Sequence, residues 1–267
     1  MKKIIKISAV ILALVMALGS LCACGNGTST ENPSKTEKLV MATNASFPPY
    51  EYVDDSGAFA GIDVEIAGLI AEKLGLTLEI QDVEFGSIIG GVQAGKFDIG
   101  MAGMTVTDER LQSVNFSTSY ATGIQSIIVP EDSEIKSFDD FFNADRTVKD
   151  IKVGVQQDTT GDIYLSDTVE NGGVGSDHVV QYKTGNDAVQ ALVTGKVDAV
   201  VIDNEPAKSY VASNEGLVIL DTAYTEENYA ICVAKENTDL LESINDALAQ
   251  LTADGTIDAI IEKYIGA

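Results

Sequence analysis

The sequence predicts an α/β protein built from two similar lobes, and three observations carry that prediction. Beyond residue 38, strand-like and helix-like runs alternate, which marks an α/β chain. The segment Val92-Gln-Ala-Gly95-Lys96-Phe97-Asp98-Ile99 returns in the second half as Val189-Gln-Ala-Leu-Val-Thr-Gly195-Lys196-Val197-Asp198-Ala199. In both copies a helix ends at a glycine suited to a left-handed cap, with lysine at its C-terminus and a strand next. The stretch from 38 to 267 is also long enough for one large domain or two small ones.

Ahead of that body the chain begins as an export signal. Met1-Lys2-Lys3-Ile4-Ile5-Lys6 supplies a positive region and Ile7 to Leu18 is mostly apolar. This apolar run is shorter than the ~20 residues that span a bilayer. Leu21-Cys22-Ala23-Cys24 resembles a bacterial lipobox, with Cys24 the expected lipidated residue. Modification at Cys22 instead would set the bulky Leu21 at the cleavage site. Residues 1–23 are therefore expected to be a lipoprotein signal peptide. Residues 24–37 are polar, without apolar periodicity, and are expected to be a flexible tether.

In the body, Lys38 to Thr43 reads as a strand running into a loop at Pro48-Pro49, and Asp54 to Gly57 as a turn. Ile66, Leu69, Ile70 and Leu74 fall at helical spacing within 63–74, and Gly75 closes that helix. Residues 76–80 alternate as a strand. Ile151 to Val155 is a further strand, followed by Gln156-Gln-Asp-Thr-Thr-Gly161. Hydroxyls and free N–H groups ahead of a helix can accept an anion there; an ordinary N-cap at Thr159 or Thr160 is the alternative reading. Residues 229–234 read as one apolar strand holding Cys232, a small buried hydrophobe without a disulfide or metal partner. Amphipathic helices over 238–253 and on to Tyr264 complete the chain.

The charge balance excludes some partners. The full chain carries 17 basic and 41 acidic side chains, a net charge of −24. Losing the leader removes Lys2, Lys3 and Lys6, so the body is more negative still. Such a surface repels nucleic acid and anionic lipid. No residue pattern calls for a cofactor or a metal. The only histidine, His178, follows a glycine-rich stretch and reads as a solvated loop residue. Asp63 and Glu65 stand at the start of a helix and point apart, which disfavours a paired-carboxylate reaction.

Only two arginines occur, Arg110 and Arg146. Arg110 closes the run Asp98-Ile-Gly-Met-Ala-Gly103-Met-Thr105-Val-Thr-Asp-Glu-Arg110, in which a short strand gives way to small residues and hydroxyls. A guanidinium fork suits a carboxylate, gripped by two parallel hydrogen bonds. A surface arginine at a helix start is the other reading. Ligands in open α/β sheets collect beyond the carboxyl ends of strands. In the second half that place belongs to Asp203-Asn-Glu-Pro206.

At these residues the sequence resembles the polar amino-acid-binding proteins (family 3) that serve bacterial ABC importers. The resemblance covers about 38 to 267. It rests on Phe47-Pro-Pro-Tyr50-Glu51, Gly61-Ile-Asp63-Val-Glu65-Ile66, Gly95-Lys-Phe-Asp98, Gly103 to Arg110, Phe116-Ser117 with Tyr120, Val153-Gly-Val155, Gly195 to Asp203, and Asp254-Gly-Thr-Ile257 with Lys263-Tyr264. It implies a two-lobed periplasmic-binding-protein-like (type II) fold with two hinge crossings. Residues 38–124 and 225–267 would form lobe 1, and 125–224 lobe 2. It further implies an extracytoplasmic, monomeric binder of a free amino acid, held to the membrane through its N-terminal lipid only and serving a membrane-embedded ABC permease, with no catalysis.

By the same resemblance, Arg110 grips the ligand α-carboxylate, helped by the Thr105 hydroxyl and the backbone at Gly103 and Thr105. Thr160 donates to that carboxylate from the facing lobe, and Asp203 accepts from the α-ammonium. Phe47 and Phe85 sandwich the side-chain stem, and Asn44 lies in the pocket. The chain departs from the family at three points. Asp158 stands where glycine is common, Ser119 where proline precedes the tyrosine, and Asn44 where some binders of cationic ligands carry an acid. Asp158 or Glu205 would restore an acidic pocket, so the expectation stops at a polar amino acid.

Overall fold

Residues 37–221 and 225–266 are described by a computed structural model. The expected leader, Cys24 and the tether up to residue 36 lie outside the described residues, as do residues 222–224 and Ala267.

The first lobe opens with β1 (Lys38–Thr43) and a small antiparallel sheet of β2 (Ser46–Phe47), β3 (Glu51–Val53) and β4 (Phe59–Ala60). Helix α1 (Ile62–Leu74) follows and ends at Gly75 with φ 73°, the left-handed cap that glycine adopts without a Cβ penalty. Strand β5 (Thr77–Asp82) pairs in parallel with β1 along its whole length. That pairing moves the strand two residues beyond the expected 76–80. Next come α2 (Ile88–Gln93), β6 (Ile99–Gly100), α3 (Arg110–Ser113) and β7 (Val114–Phe116).

Strand β8 (Ala121–Pro130) leaves this lobe, and its later residues enter a second sheet. That sheet is completed by β9 (Val153–Gln156), α4 (Thr160–Ser166), β10 (Val179–Tyr182), α5 (Gly185–Val193), β11 (Ala199–Asp203), α6 (Asn204–Ser213) and β12 (Leu217–Ile219). Its order is β10-β9-β11-β8-β12. The chain returns through β13 (Glu226–Tyr229), antiparallel to the first half of β8, and then forms β14 (Cys232–Ala234). Helices α7 (Thr238–Ala253) and α8 (Thr256–Ile265) finish it. The first sheet runs β5-β1-β6-β14-β7. The fold is thus α/β in two lobes joined by two crossings, β8 and β13. The single strand expected over 229–234 divides at Ala230-Ile231, because Tyr229 still pairs in the crossing ribbon while Cys232 pairs in the first sheet.

The internal echo is a repeated turn. Gly95 and Gly195 both have φ 67°, and Lys96 and Lys196 donate back to the carbonyls of Gly91 and Ala191. The aspartates do matching work, since Asp98 and Asp198 each accept the backbone N–H at the start of the neighbouring strand, Val40 and Lys152, at 2.7 Å. Each β-strand that follows is thereby registered beside its parallel partner.

Both faces of the second sheet are covered, which is why β11 reads as an unbroken apolar run. Ala199 and Val201 face Val153, Val155 and Leu165, whereas Val200 and Ile202 join the core that holds Val189 and Leu192. In the first lobe α1 and α7 bury Ile62, Ile66, Ile70, Ile244 and Leu248. Cys232 is fully buried, and burial pushes its thiol up to about 12. His178 departs from the expected solvated loop. It is half-buried, with Nδ1 3.1 Å from the Ile151 carbonyl, because the turn at 176–178 tucks against the entry to β9.

Candidate binding site between the lobes

The carboxyl ends of β1, β6, β9 and β11 point into one cavity, where ligands gather in α/β sheets. It is lined by Asn44, Phe47, Glu51, Phe85, Ala102, Gly103, Thr105, Arg110, Gln156, Thr159, Thr160 and Asp203. All eight expected ligand residues therefore lie on one cavity, drawn from both lobes. Glu51, Ala102, Gln156 and Thr159 are additions.

Arg110 is 7% exposed at the start of α3. Its Nη1 donates to the Thr105 carbonyl at 2.8 Å, and its Nη2 crosses to the second lobe, donating to the Asp158 carbonyl at 3.0 Å. The guanidinium also stands 5.3 Å from the centre of the Phe85 ring. Burial lowers its pKa, opposed by the nearby Glu227 carboxylate, yet an arginine stays charged. Arg146 is the opposite case, with an exposed side chain paired to Asp139.

Asp203 caps the end of β11 and is 7% exposed. Tyr229, on the returning crossing, donates its hydroxyl to Asp203 Oδ1. Burial, and then the charge of Glu227, push the Asp203 carboxyl up to about 7. An ammonium placed beside it would restore the charged form, since a buried anion needs a cationic partner.

The hydroxyls and backbone around the cavity have partners within the protein. Thr105 donates its hydroxyl to Glu227 Oε2 at 2.9 Å, so its oxygen faces the cavity as an acceptor. The Gly103 N–H goes to Asp63 Oδ2 at 2.9 Å. Thr160 opens α4, and the cap itself is Thr159, whose hydroxyl accepts from the Asp162 N–H. Gln125 Nε2 lies 3.4 Å from Thr160 Oγ1 and 3.1 Å from Glu227 Oε2, leaving the Thr160 hydroxyl proton available to a carboxylate. Asn44 is engaged within the protein, donating to the Val83 carbonyl and accepting from Ser46 and, across the lobes, from Gln156 at 2.9 Å. Phe47 packs on Tyr50 with ring centres 6.0 Å apart.

Of the two acids left open as members of the pocket, neither lines the cavity. Asp158 has φ 64°, and its carboxylate lies over Gly86, outside. Glu205 pairs with Lys208 at 2.7 Å. The acid that does line the cavity is Glu51. Asp63 and Glu65 do point apart: Asp63 is fully buried, whereas Glu65 meets Lys263 and Tyr264. The sequence signal for Glu51 was its place after Phe47-Pro-Pro-Tyr50, but nothing local told a strand residue aimed outward from one aimed inward.

Two α/β lobes joined by two crossings, closed on a cavity with a cation in one lobe and an acid in the other, define a cleft-type solute-binding protein. The chain belongs to the bacterial extracellular solute-binding proteins, family 3, whose model matches residues 39–267. Over 253 residues it is 32% identical to the arginine-binding extracellular protein ArtP of Bacillus subtilis (strain 168), covering 92% of each chain. An ancestral arginine-binding protein bound to glutamine has 39% identity and a TM-score of 0.77, over 86% of this chain and 98% of that one. The ancestral amino acid-binding protein AncCDT-1, a precursor of cyclohexadienyl dehydratase, has 33% identity and a TM-score of 0.76, over 85% and 95%. Membership of this family places the protein outside the cytoplasm as a carrier of solute. Among the described residues, no helix is long and apolar enough to cross a membrane.

Proposed function

We propose that this protein binds a free polar amino acid between its lobes and, by closing around it, presents it to a membrane-embedded ABC permease. The observation that carries the reading is the cavity shared by Arg110 and Asp203, a guanidinium and a carboxylate from different lobes. A zwitterion matches both at once. Its carboxylate meets Arg110 and the Thr160 hydroxyl, and its ammonium meets Asp203 and the Thr105 oxygen. Only the closed state satisfies every contact, so ligand shifts an open–closed equilibrium.

Residues 38–124 with 225–267 move as one lobe and 125–224 as the other, the β8–β13 ribbon serving as hinge. Phe47 and Phe85 flank the stem of the ligand side chain. The protein works as a monomer without catalysis, anchored at the outer face of the cell membrane through a lipid on Cys24. The lipobox-like Leu21-Cys22-Ala23-Cys24 supports the anchor, and a lining suited to holding a zwitterion supports binding over chemistry.

A thermal-shift screen against the twenty amino acids, cystine and ornithine tests the proposal. One ligand should raise the melting temperature in step with the logarithm of its concentration, as linkage requires. Silence across the panel would refute it, and so would recovery of a chemically altered ligand.

A further inference from the structure

Glu227 is a buried acid that the proposed amino-acid site does not use in direct contact. It sits on β13, one of the two crossings, where buried Glu227 and Tyr229 flank exposed Asn228 and so share one face of the strand. The loop that carries Thr105 is laced to that strand. The Val106 N–H donates to the Asn228 carbonyl and the Ala230 N–H to the Met104 carbonyl, each at 3.0 Å. Glu227 Oε2 thereby comes within 2.9 Å of the Thr105 hydroxyl. It is also 3.1 Å from the Nε2 of Gln125, which is buried on β8, the other crossing. Thr105 and Thr160 line the cavity, whereas Glu227 and Gln125 stand behind them.

The direction of these bonds follows from the chemistry of a carboxylate. It offers lone pairs and no proton, so both neighbours must donate to it. The Thr105 hydroxyl commits its single proton to Glu227 and keeps only lone pairs for the cavity. Gln125 must turn its NH2 group towards Glu227, not its carbonyl oxygen. The second N–H of that group then meets Thr160 Oγ1, 3.4 Å away, so the threonine oxygen accepts there and its own proton is left for the cavity. The result is an acceptor on the lobe that carries Arg110 and a donor on the lobe that carries Asp203, so each lobe meets both ends of a zwitterion. An amide in place of Glu227 holds a donor as well as an acceptor, and either hydroxyl is then free to reverse.

We infer that Glu227 is a positioning residue that sets the hydrogen-bond polarity of the cavity. Through Thr105 and Gln125 it fixes which hydroxyl accepts from the ligand ammonium and which donates to the ligand carboxylate, and it touches neither end of the ligand itself. Its position on a crossing lets one side chain govern hydroxyls from both lobes. The inference rests on the proposed amino-acid site and adds to it a residue that makes the site prefer a zwitterion to an acid without the ammonium.

Two probes test it by titration calorimetry: the amino acid that gives the largest shift in the thermal screen, and the 2-hydroxy acid bearing the same side chain. They share a carboxylate and differ in the ammonium, so the ratio of their affinities reads the acceptor at Thr105. Glu227→Gln should narrow that ratio about tenfold, and Thr105→Val should narrow it as much on its own. In the Thr105→Val background, Glu227→Gln should change the ratio by less than about twofold, because it acts through that hydroxyl. If Glu227 acts only by its charge, the ratio narrows equally with and without the Thr105 hydroxyl. If its role is merely structural, both probes weaken alike. Either result would overturn the inference and leave the amino-acid site standing. Should Glu227→Gln not fold, neutron diffraction from deuterated crystals of the unmodified protein with the same amino acid decides. The Thr105 deuteron should point at Glu227 Oε2 and the Thr160 deuteron at the ligand carboxylate, and a Thr105 deuteron aimed into the cavity would overturn the assignment. No binding by any amino acid would instead remove the site itself, and its polarity with it.

Discussion

Replacing Arg110 by alanine is the sharpest test of the cavity. The side chain is buried, donates across the cleft to Asp158 and along its own lobe to Thr105, and among the described residues is the only arginine or lysine lining the cavity. A ligand carboxylate arriving in the variant meets the Thr160 hydroxyl but no cation, with Asp203 and Glu227 still close by. Removing one member of a buried charged pair costs about 3–5 kcal/mol. At about 1.4 kcal/mol per decade, that is a loss of affinity of hundreds-fold or more. The fold should survive, because the carbonyls of Thr105 and Asp158 become accessible to water entering the vacated space, and their lost bonds cost about 1–3 kcal/mol each at most. Calorimetric titration with the ligand found by the thermal screen measures the first quantity, and denaturant unfolding the second. A folded variant that binds within tenfold of the parent would refute the role given to Arg110.

Gly103→Ala should weaken both binding and stability. The residue has φ 51°, and an added Cβ would sit 2.9 Å from Phe47 Cε1, displacing that ring from the cavity wall. The backbone strain alone is about 1–2 kcal/mol, so unfolding and titration should both register it. Asp63→Asn should flatten the dependence of stability on pH. A carboxyl whose folded pKa is raised contributes stability that is complete below its unfolded pKa near 4 and is lost as pH rises through about 7. The share of Asp63 over that window is about 4 kcal/mol, and unfolding curves at pH 4 to 8 should show the variant losing less than the parent. Cys24→Ala should release the protein from the membrane fraction into the soluble one without changing affinity, as fractionation of expressing cells would show. Continued membrane association would refute the anchor.

The sequence determined the class of fold and most of the site's membership. Alternating elements and the repeated Gly-Lys-x-Asp turn are local, set by backbone conformation and by side chains within a few residues, and such signals survive in one dimension. Arg110 was legible for a related reason, because a lone guanidinium at the end of a glycine- and threonine-bearing loop has few structural uses. What the sequence left open concerns partners distant in the chain. Asp158 and Glu205 stood open as pocket acids and Glu51 was not singled out, yet the fold turns the first over Gly86, ties the second to Lys208, and aims Glu51 inward. Thr105 reads in the sequence as a hydroxyl free for a ligand, whereas in the fold it donates a hydrogen bond to Glu227, on a strand far downstream. Asp63 and Glu65 point apart on one helix, and the partners of Asp63, the Gly103 N–H and the Tyr120 hydroxyl, lie on other elements. The period of a helix or strand tells which way neighbours point. The charge and proton content of a cavity depend on which distant carboxylates are buried together, and only the tertiary structure decides that.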